Sequence, residues 1–318
     1  MAAPEKVLAT DTAAGIRTLT LDSPHNRNAL SARMVDDLYA ALARAETDDS
    51  VRAVLLTHTG NTFCAGADLS EAGAATGHGA APGRRSQAAG SSRLRAQFPA
   101  PLKRNPRSLG SLRLGVPPAR RAWGSRVGKR SPRAGYAGAE GQALALAQLL
   151  RRIVALPKPV VARVTGHVRA GGTGLLAACD ISIAGPGATF AFTEARIGVA
   201  PAVISMPVLP RTDPRAMARY YLTGERFGPQ EAARIGLVTL AADDLDEALA
   251  PVLDGLRQGS PQGLAESKRL VTREVLAAFD RDTDTLAELS ARLFASDEAR
   301  EGMTAFLERR EPEWAVRQ

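Results

Sequence analysis

The amino-acid sequence predicts a mixed α/β fold that ends in a helical C-terminal region. Up to about residue 211, short apolar strand-like runs alternate with segments of helical periodicity, and glycine-containing loops separate them. From about Thr212 onward, apolar residues recur mainly at helical spacing. The chain has 318 residues, of which 45% are hydrophobic, so it can bury a substantial core.

The first elements are predicted from local signals near the N-terminus. "VLATDTAAGIRTLTLD" predicts two strands joined by a turn at Ala14 and Gly15. Ser31 is predicted to cap a helix over "ARMVDDLYAALARAE", whose apolar face carries Met34, Leu38, Ala41 and Leu42. The next run, "VRAVLLTH", predicts a buried strand, and "TGNTFCAGADLS" predicts a loop after it.

Residues 71–140 differ in composition from the rest of the chain. They hold 14 of the 41 Lys and Arg residues but only two of the 33 acidic residues, so this segment carries +12 and the remainder −4. The segment is rich in Gly, Pro, Ser and Arg and lacks regular periodicity, which predicts a disordered insertion. The predicted core therefore comprises 1–70 and 141–211, and the helical C-terminal region covers 212–318.

Beyond the insertion, alternation of helix and strand resumes. "ALALAQLLRRIVAL" predicts a helix that ends before Pro157 and Pro159. The runs "VVARVTG", "DISIAG" and "ATFAF" predict three short strands. The stretch "VRAGGTGLLAACDISIAG" lies between the first two of these strands and contains several glycines.

Composition also restricts the class of protein. No run of about 18 apolar residues predicts a membrane span, and the N-terminus lacks the pattern of a signal peptide, so we expect a cytoplasmic protein. Cys64 and Cys179 are predicted to be buried, reduced thiols. The basic insertion leaves RNA or DNA binding open, with Trp123 or Phe98 stacking on bases, but a solvated linker is the preferred interpretation.

The glycines after "VVARVTG" match the spacing of a dinucleotide-binding loop, with Glu194 lying twenty residues past Gly174. A dinucleotide loop begins where its strand ends, but this strand ends at Gly166, five residues before Gly171. The helix that follows has room for only about two turns, too short for a parallel crossover. We therefore reject a nicotinamide site.

Two glycine loops, considered together, predict an oxyanion hole. "NTFCAGADL" follows one strand and "RAGGTGLL" follows another, and both offer backbone N–H groups without large side chains. Two such donors that converge on a carbonyl oxygen stabilise the negative charge that develops there, and the positive end of a short helix adds to the effect. This arrangement suits an acyl thioester, whose carbonyl is readily polarised.

The chain resembles the enoyl-CoA hydratase/isomerase (crotonase) family in several stretches that occur in the family's order. These are "LDSPHNRNALS", "FCAGADLS", "PKPVVARVTGHVRAGGTGLLAACDISIAG", "ATFAFTEARIGVAPAVISMPVLPR", "LTGERFGPQEAARIGLV" and "AFLERREPEW". The resemblance spans nearly the whole chain apart from 71–140. It implies a crotonase-like spiral of repeated strand-strand-helix units, followed by a C-terminal helical region that mediates trimerisation in relatives.

The resemblance also implies roles for individual residues. The oxyanion donors are the N–H groups of Ala67 and Gly171, and Glu194 is the catalytic acid/base. The implied partner is an acyl-CoA thioester, with CoA as part of the substrate and no separate cofactor or metal. A homotrimer or hexamer is expected, without membrane or nucleic-acid partners. The residues expected to bind the substrate or its CoA group are Ala65, Gly66, Asp68, Leu69 and Arg27.

One departure from the family pattern bears on the reaction. A typical hydratase has a second glutamate three residues after the donor glycine, and the two glutamates hold the attacking water, but Gly174 occupies that position here. A single carboxylate can move a proton from C2 to C4, which is the chemistry of an enoyl-CoA isomerase. Hydration of a branched or glutaconyl-type enoyl-CoA stays open, because one hydratase branch carries a similar glycine. A non-catalytic acyl-CoA binder is a further alternative.

Overall fold

The computed structural model describes residues 7–68 and 138–316. Residues 69–137 lie outside this range and include nearly all of the predicted insertion, so the predicted division into domains stays a prediction. Helical structure already begins at Gly138, slightly before the predicted end of the insertion at residue 140.

The strands of the described residues are short and occur mainly in pairs along the chain. They are β1 (Leu8–Ala13), β2 (Ile16–Leu21), β3 (Ala53–His58), β4 (Thr62–Cys64), β5 (Val160–Val164), β6 (His167–Arg169), β7 (Ile181–Ala184), β8 (Thr189–Ala191) and β9 (Leu240–Ala241). The helices of the core are α1 (Ala32–Thr47), α2 (Gly138–Ala155), α3 (Gly171–Ala178) and α4 (Ser205–Val208). Short 3-10 turns cover Pro24–Asn26, Glu194–Ile197 and Leu209–Arg211.

The strands form two sheets, and each of the three pairs between β3 and β8 contributes one strand to each sheet. The larger sheet has the order β1-β2-β3-β5-β7-β9, and only its β1–β2 pair is antiparallel. The smaller sheet, β4-β6-β8, is parallel throughout. The units β3-β4, β5-β6 and β7-β8 therefore repeat along the chain, and α3 follows the second of them. This arrangement confirms the predicted spiral of strand-strand-helix units.

The C-terminal region is helical, as predicted. Its helices are α5 (Pro214–Thr223), α6 (Pro229–Arg234), α7 (Leu245–Gln258), α8 (Pro261–Val271), α9 (Arg273–Phe294) and α10 (Asp297–Glu308). The longest, α9, packs against α2 of the core and thereby ties the two regions together. None of the helices in the described part of the chain is long and apolar enough to cross a membrane.

Local signals of the sequence account for the ends and faces of the first helix. The Ser31 hydroxyl oxygen accepts a hydrogen bond from the Met34 N–H at 3.2 Å, which confirms the predicted cap of α1. The four residues of the predicted apolar face, Met34, Leu38, Ala41 and Leu42, are all buried.

Candidate active site

The two predicted oxyanion loops leave neighbouring strands of the small sheet. The first follows β4 and the second follows β6, and these strands pair in parallel through Cys64 and Val168. A Cβ atom placed on Gly66 would lie 3.2 Å from the Gly171 nitrogen, and one placed on Gly171 would lie 3.6 Å from the Ala67 nitrogen. Gly66 also has a φ of +95°, which favours glycine. The two loops are therefore in van der Waals contact.

Two backbone donors at this contact have no hydrogen-bond partner within the described part of the chain. Among the backbone hydrogen bonds of residues 7–68 and 138–316, neither the Ala67 N–H nor the Gly171 N–H donates to an acceptor. Gly171 is the first residue of α3, where N–H groups lack an acceptor within the helix. Two free donors on touching segments form the arrangement that an oxyanion needs. Their assignment as the oxyanion hole stays a prediction.

The loop that carries Ala67 is held in place by backbone and amide contacts. The Leu30 N–H donates to the Gly66 oxygen at 2.8 Å, and the Ala65 N–H donates to the Arg27 oxygen at 3.1 Å. The buried Asn28 amide donates to the Thr62 oxygen at 2.8 Å and to the Thr59 oxygen. Asn28 thus joins the segment before α1 to the ends of β3 and β4, a role that its sequence context did not indicate.

The expected CoA-binding residues fall into two groups. Ala65, Gly66 and Asp68 lie in the same loop as the donor Ala67, and the Asp68 carboxylate accepts a hydrogen bond from the Asn26 amide at 3.4 Å. Leu69 lies outside the described residues. The Arg27 side chain is exposed, while its backbone oxygen holds Ala65 as described above. A contact between Arg27 and CoA stays a prediction.

Ala170, which precedes the donor Gly171, has an unusual backbone conformation. Its φ of 46° and ψ of −122° are adopted almost only by glycine. The Ala170 N–H donates to the Ala191 oxygen of β8 at 3.2 Å, and its own oxygen accepts from the Thr173 hydroxyl at 2.6 Å. These bonds maintain a sharp turn from β6 into α3, and Gly171 begins the helix immediately after this turn.

We expect Ala170→Gly to stabilise the protein by about 1 kcal/mol, because glycine relieves a strain of roughly 1–3 kcal/mol at some cost in chain entropy. Chemical denaturation measures the change. Ala177→Gly, inside α3, is the control and should instead destabilise by about 1 kcal/mol. A lower stability of Ala170→Gly would show that the Ala170 methyl group contributes more through packing than the strain costs.

Glu194 lies at the start of the 3-10 turn that follows β8. Since β8 pairs with β6 through Arg169 and Ala191, the segments that carry Glu194 and Gly171 leave adjacent strands at the same edge of the small sheet. The Glu194 side chain is buried at 8% exposure, and its Oε2 has no hydrogen-bond partner among the described residues. Burial raises the pKa of this carboxyl from 4.5 to about 7, against the lowering effect of the backbone N–H groups of Glu194 and Thr193.

A carboxyl with a pKa near 7 suits proton transfer at neutral pH, since both its protonated and ionised forms are populated there.

The thiols of Cys64 and Cys179, in contrast, have pKa values far above neutral pH. Both are buried and free, as predicted, and burial raises the pKa of each thiol to about 12. They therefore stay protonated and do not act as nucleophiles.

Gly174 is packed against a residue that the sequence analysis did not single out. A Cβ atom at position 174 would lie 2.4 Å from the Ile204 Cγ2 and 2.7 Å from the Ile204 Cβ. Ile204 precedes α4, which packs against α3. The volume that a side chain at 174 would need is thus filled by Ile204. A glutamate introduced there has no room unless Ile204 moves.

His167 and Arg169 are the two ends of strand β6 in the small sheet. His167 Nδ1 lies 2.9 Å from the Thr189 Oγ1, and the Arg169 guanidinium donates to the Thr189 oxygen at 2.6 Å and to its Oγ1 at 2.7 Å. Burial and the nearby charge of Arg226 lower the pKa of Arg169 to about 10. These two residues join β6 to β8 and have no evident contact with the candidate donors.

A family model and a related protein both match this chain over nearly its whole length. A family model described as enoyl-CoA hydratase/isomerase matches residues 11–95 and 130–317. A Bacillus subtilis (strain 168) protein named "Probable enoyl-CoA hydratase" is 29% identical over 303 residues, which cover 94% of this chain and 95% of the relative.

Solved structures also match this chain over nearly its whole length. The crystal structure of an enoyl-CoA hydratase from Mycobacterium avium is 43% identical, with a TM-score of 0.74 over 98% of this chain and all of that one (100%). Pseudomonas aeruginosa AtuE is 29% identical, with a TM-score of 0.63 over 98% of this chain and 100% of its own. Each relative is thus matched along nearly its whole length.

Proposed function

Since this chain belongs to the enoyl-CoA hydratase/isomerase family, we propose that it binds an enoyl-CoA thioester and moves protons on the acyl chain with Glu194 as its single acid/base. The observation that carries the proposal is the buried Glu194 carboxylate, whose Oε2 has no partner among the described residues. Glu194 follows β8, which pairs with β6, the strand that leads to Gly171. A buried, unpaired carboxyl destabilises the fold, and such groups concentrate at functional sites.

The two donors supply the electrostatic part of the proposed mechanism. The thioester oxygen accepts hydrogen bonds from the N–H groups of Ala67 and Gly171. Removal of a proton from C2 places negative charge on this oxygen, and donors already in position stabilise that charge without further rearrangement. CoA enters as part of the substrate, and no step requires a metal or a redox cofactor.

Isomerisation is the reaction that this set of groups supports most simply. Glu194 removes a proton from C2 of a 3-enoyl-CoA, the resulting dienolate is held by the two donors, and the same carboxyl returns the proton to C4. The double bond then lies between C2 and C3, and the enzyme regains its starting state. Among the described residues, a Cβ atom at position 174 would meet only the apolar side chains of Ile204 and Leu150 as its nearest neighbours, which is consistent with a mechanism that uses one base.

Hydration of a 2-enoyl-CoA is the second candidate, and the names of the relatives favour it. This reaction needs a water molecule held in position for attack at C3 while Glu194 accepts its proton.

The test of both candidate reactions is to incubate the purified full chain with linear and branched 2-enoyl-CoA and with 3-enoyl-CoA, and to follow hydration and double-bond migration separately. Acyl-CoA binding without any turnover would instead indicate a non-catalytic binder.

Self-association as a homotrimer or hexamer, and a cytoplasmic location, are parts of the same proposal. Several apolar side chains of the C-terminal region are exposed in the single chain, among them Leu222, Leu270, Val271, Phe306 and Leu307. Exposed apolar side chains of this size commonly contribute to interfaces between subunits.

The raised pKa of Glu194 predicts how activity depends on pH. The base must be ionised, so kcat/KM should rise about tenfold per pH unit below pH 7 and level off above it. Initial rates on saturating and dilute substrate between pH 5.5 and 9 give the profile. A profile that is flat across this range would mean that the base titrates near 4.5, the ordinary value for a glutamate, and that Glu194 is not buried in the working enzyme.

A further inference from the structure

The Tyr221 hydroxyl is a buried polar group that neither the sequence analysis nor the proposed mechanism uses. Tyr221 lies in the last turn of α5, and its hydroxyl oxygen is buried without a hydrogen-bond partner among residues 7–68 and 138–316. Buried tyrosine hydroxyls usually find a partner, because an unsatisfied one lowers stability. An orphaned hydroxyl of this kind therefore requires an explanation.

Contacts from two sides place Tyr221 beside the segment that carries Glu194. Its ring packs on Phe192, two residues before Glu194, with ring centroids 4.7 Å apart. The Arg196 Nε donates to the Thr223 oxygen at 3.1 Å, which ties the end of α5 to the 3-10 turn that begins at Glu194. These contacts hold the helix and the turn together, so the position of Tyr221 is determined by the same structure that positions the carboxylate.

The Glu194 carboxylate can accept a hydrogen bond and the Tyr221 hydroxyl can donate one, but the two do not bond to each other. The Glu194 Oε2 and the Tyr221 hydroxyl are both buried and unpartnered in the described part of the chain, although a phenol can donate to a carboxylate. Burial and the neighbouring Glu194 charge raise the pKa of Tyr221, so its hydroxyl stays protonated and can both donate and accept a hydrogen bond. A small polar molecule between the two groups would satisfy both.

We propose, on the basis of the function proposed above, that the Tyr221 hydroxyl is a catalytic group that holds the attacking water during hydration, in place of the carboxylate absent at position 174. The water donates one hydrogen bond to Glu194 and the other to the Tyr221 oxygen, which directs its lone pair to C3. Both protein atoms are buried in the described part of the chain, so a water held between them is shielded from bulk solvent.

The proposed step is balanced without a further reactant. The water oxygen forms a bond to C3 as the C2–C3 double bond opens, and the water proton passes to Glu194. The electrons of the double bond are held as an enolate at the thioester oxygen, by Ala67 and Gly171. Glu194 then delivers its proton to C2, which gives the 3-hydroxyacyl-CoA. Tyr221 keeps its own proton throughout, so its contribution is to the position of the water.

The test compares Tyr221→Phe with Tyr220→Phe in the full-length chain. Both variants lose one phenolic hydroxyl from adjacent positions of α5, but the Tyr220 hydroxyl donates to the Glu231 carboxylate at 2.8 Å and belongs to no part of the site. We expect Tyr221→Phe to lower kcat for hydration of 2-enoyl-CoA about tenfold or more. Isomerisation of 3-enoyl-CoA, which needs no water, should change less than about twofold. Tyr220→Phe should leave both rates near those of the parent chain.

Thermal unfolding separates this role from a merely structural one. Removal of an unsatisfied hydroxyl should leave the Tm of Tyr221→Phe unchanged or raised, whereas Tyr220→Phe loses a hydrogen bond and should unfold at a lower temperature. Equal hydration rates in Tyr221→Phe and the parent chain would overturn the role of Tyr221 alone. Absence of hydration in the parent chain that still isomerises substrate would overturn it as well. No turnover of either substrate would overturn the proposed function itself.

Discussion

Glu194→Gln lowers kcat for enoyl-CoA turnover by about 100-fold or more and raises the stability of the folded chain above pH 7. The fall in kcat follows because Glu194 is the only carboxyl at either of the two positions where a typical hydratase of the family has a catalytic glutamate. A reduction of this size is typical for loss of a general base. The amide keeps the shape of the side chain, so affinity for acyl-CoA should change little. Steady-state kinetics with both enoyl-CoA substrates measure the first effect.

The second effect follows from the direction of the pKa shift. The pKa of Glu194 is about 7 in the folded chain and 4.5 as the ordinary value, so between these pH values the folded chain retains a proton that the unfolded chain has released. The contribution of this group to stability is therefore full below pH 4.5 and is lost as pH rises through 7. At pH 8 the ionised carboxyl costs on the order of 3 kcal/mol, which Glu194→Gln removes.

Glu225→Gln is a suitable control for both effects. Glu225 forms an exposed ion pair with Arg219 at 2.7 Å in the C-terminal region, and exposed pairs contribute little to stability. Its loss should leave activity unchanged and slightly lower stability at pH 8. If Glu194→Gln retains more than roughly a third of the parent activity, another group performs the proton transfer.

Gly174→Ala destabilises the chain by about 3 kcal/mol, and Gly174→Glu by more, without gaining hydratase activity. The new Cβ atom meets Ile204 at distances below 3 Å, and the Leu150 Cδ1 lies at 3.3 Å, so α3 and α4 have to move apart. Overpacking of this kind costs about 1–3 kcal/mol, and a carboxylate forced into an apolar contact adds a desolvation cost. Denaturant unfolding measures both variants.

A double-mutant cycle with Ile204→Ala tests the cause. In that background the Ile204 Cγ2 contact is absent, so Gly174→Ala should destabilise by about 1 kcal/mol less than in the parent chain. Ile204→Ala also makes room for the side chain of Gly174→Glu, so the rate of hydration should be measured in the double variant that carries both substitutions. Additive free energies in the cycle would mean that the close approach of Ile204 does not limit position 174.

The sequence alone determined the course of the fold because its signals are local. The Ser31 cap and the apolar face of α1 depend on neighbours within a few residues, and the structure confirms them. The three-residue strand β4 lies inside the segment "TGNTFCAGADLS", which the sequence predicted to be a loop. The two glycine loops were also recognised from sequence, since each follows a strand-like run and offers backbone N–H groups without large side chains. The insertion was assigned from composition, and its assignment stays a prediction because residues 69–137 lie outside the described range.

Tertiary structure alone decided what surrounds these residues. Ile204 lies 30 positions beyond Gly174, and Tyr221 lies 27 positions beyond Glu194, so no periodic pattern links them. The raised pKa of Glu194 also arises from desolvation by atoms of distant segments, which no local motif encodes. A glutamate in the sequence "FTEARIG" is only a carboxyl on a loop, and it becomes a base with a pKa near 7 because the packed chain excludes water around it.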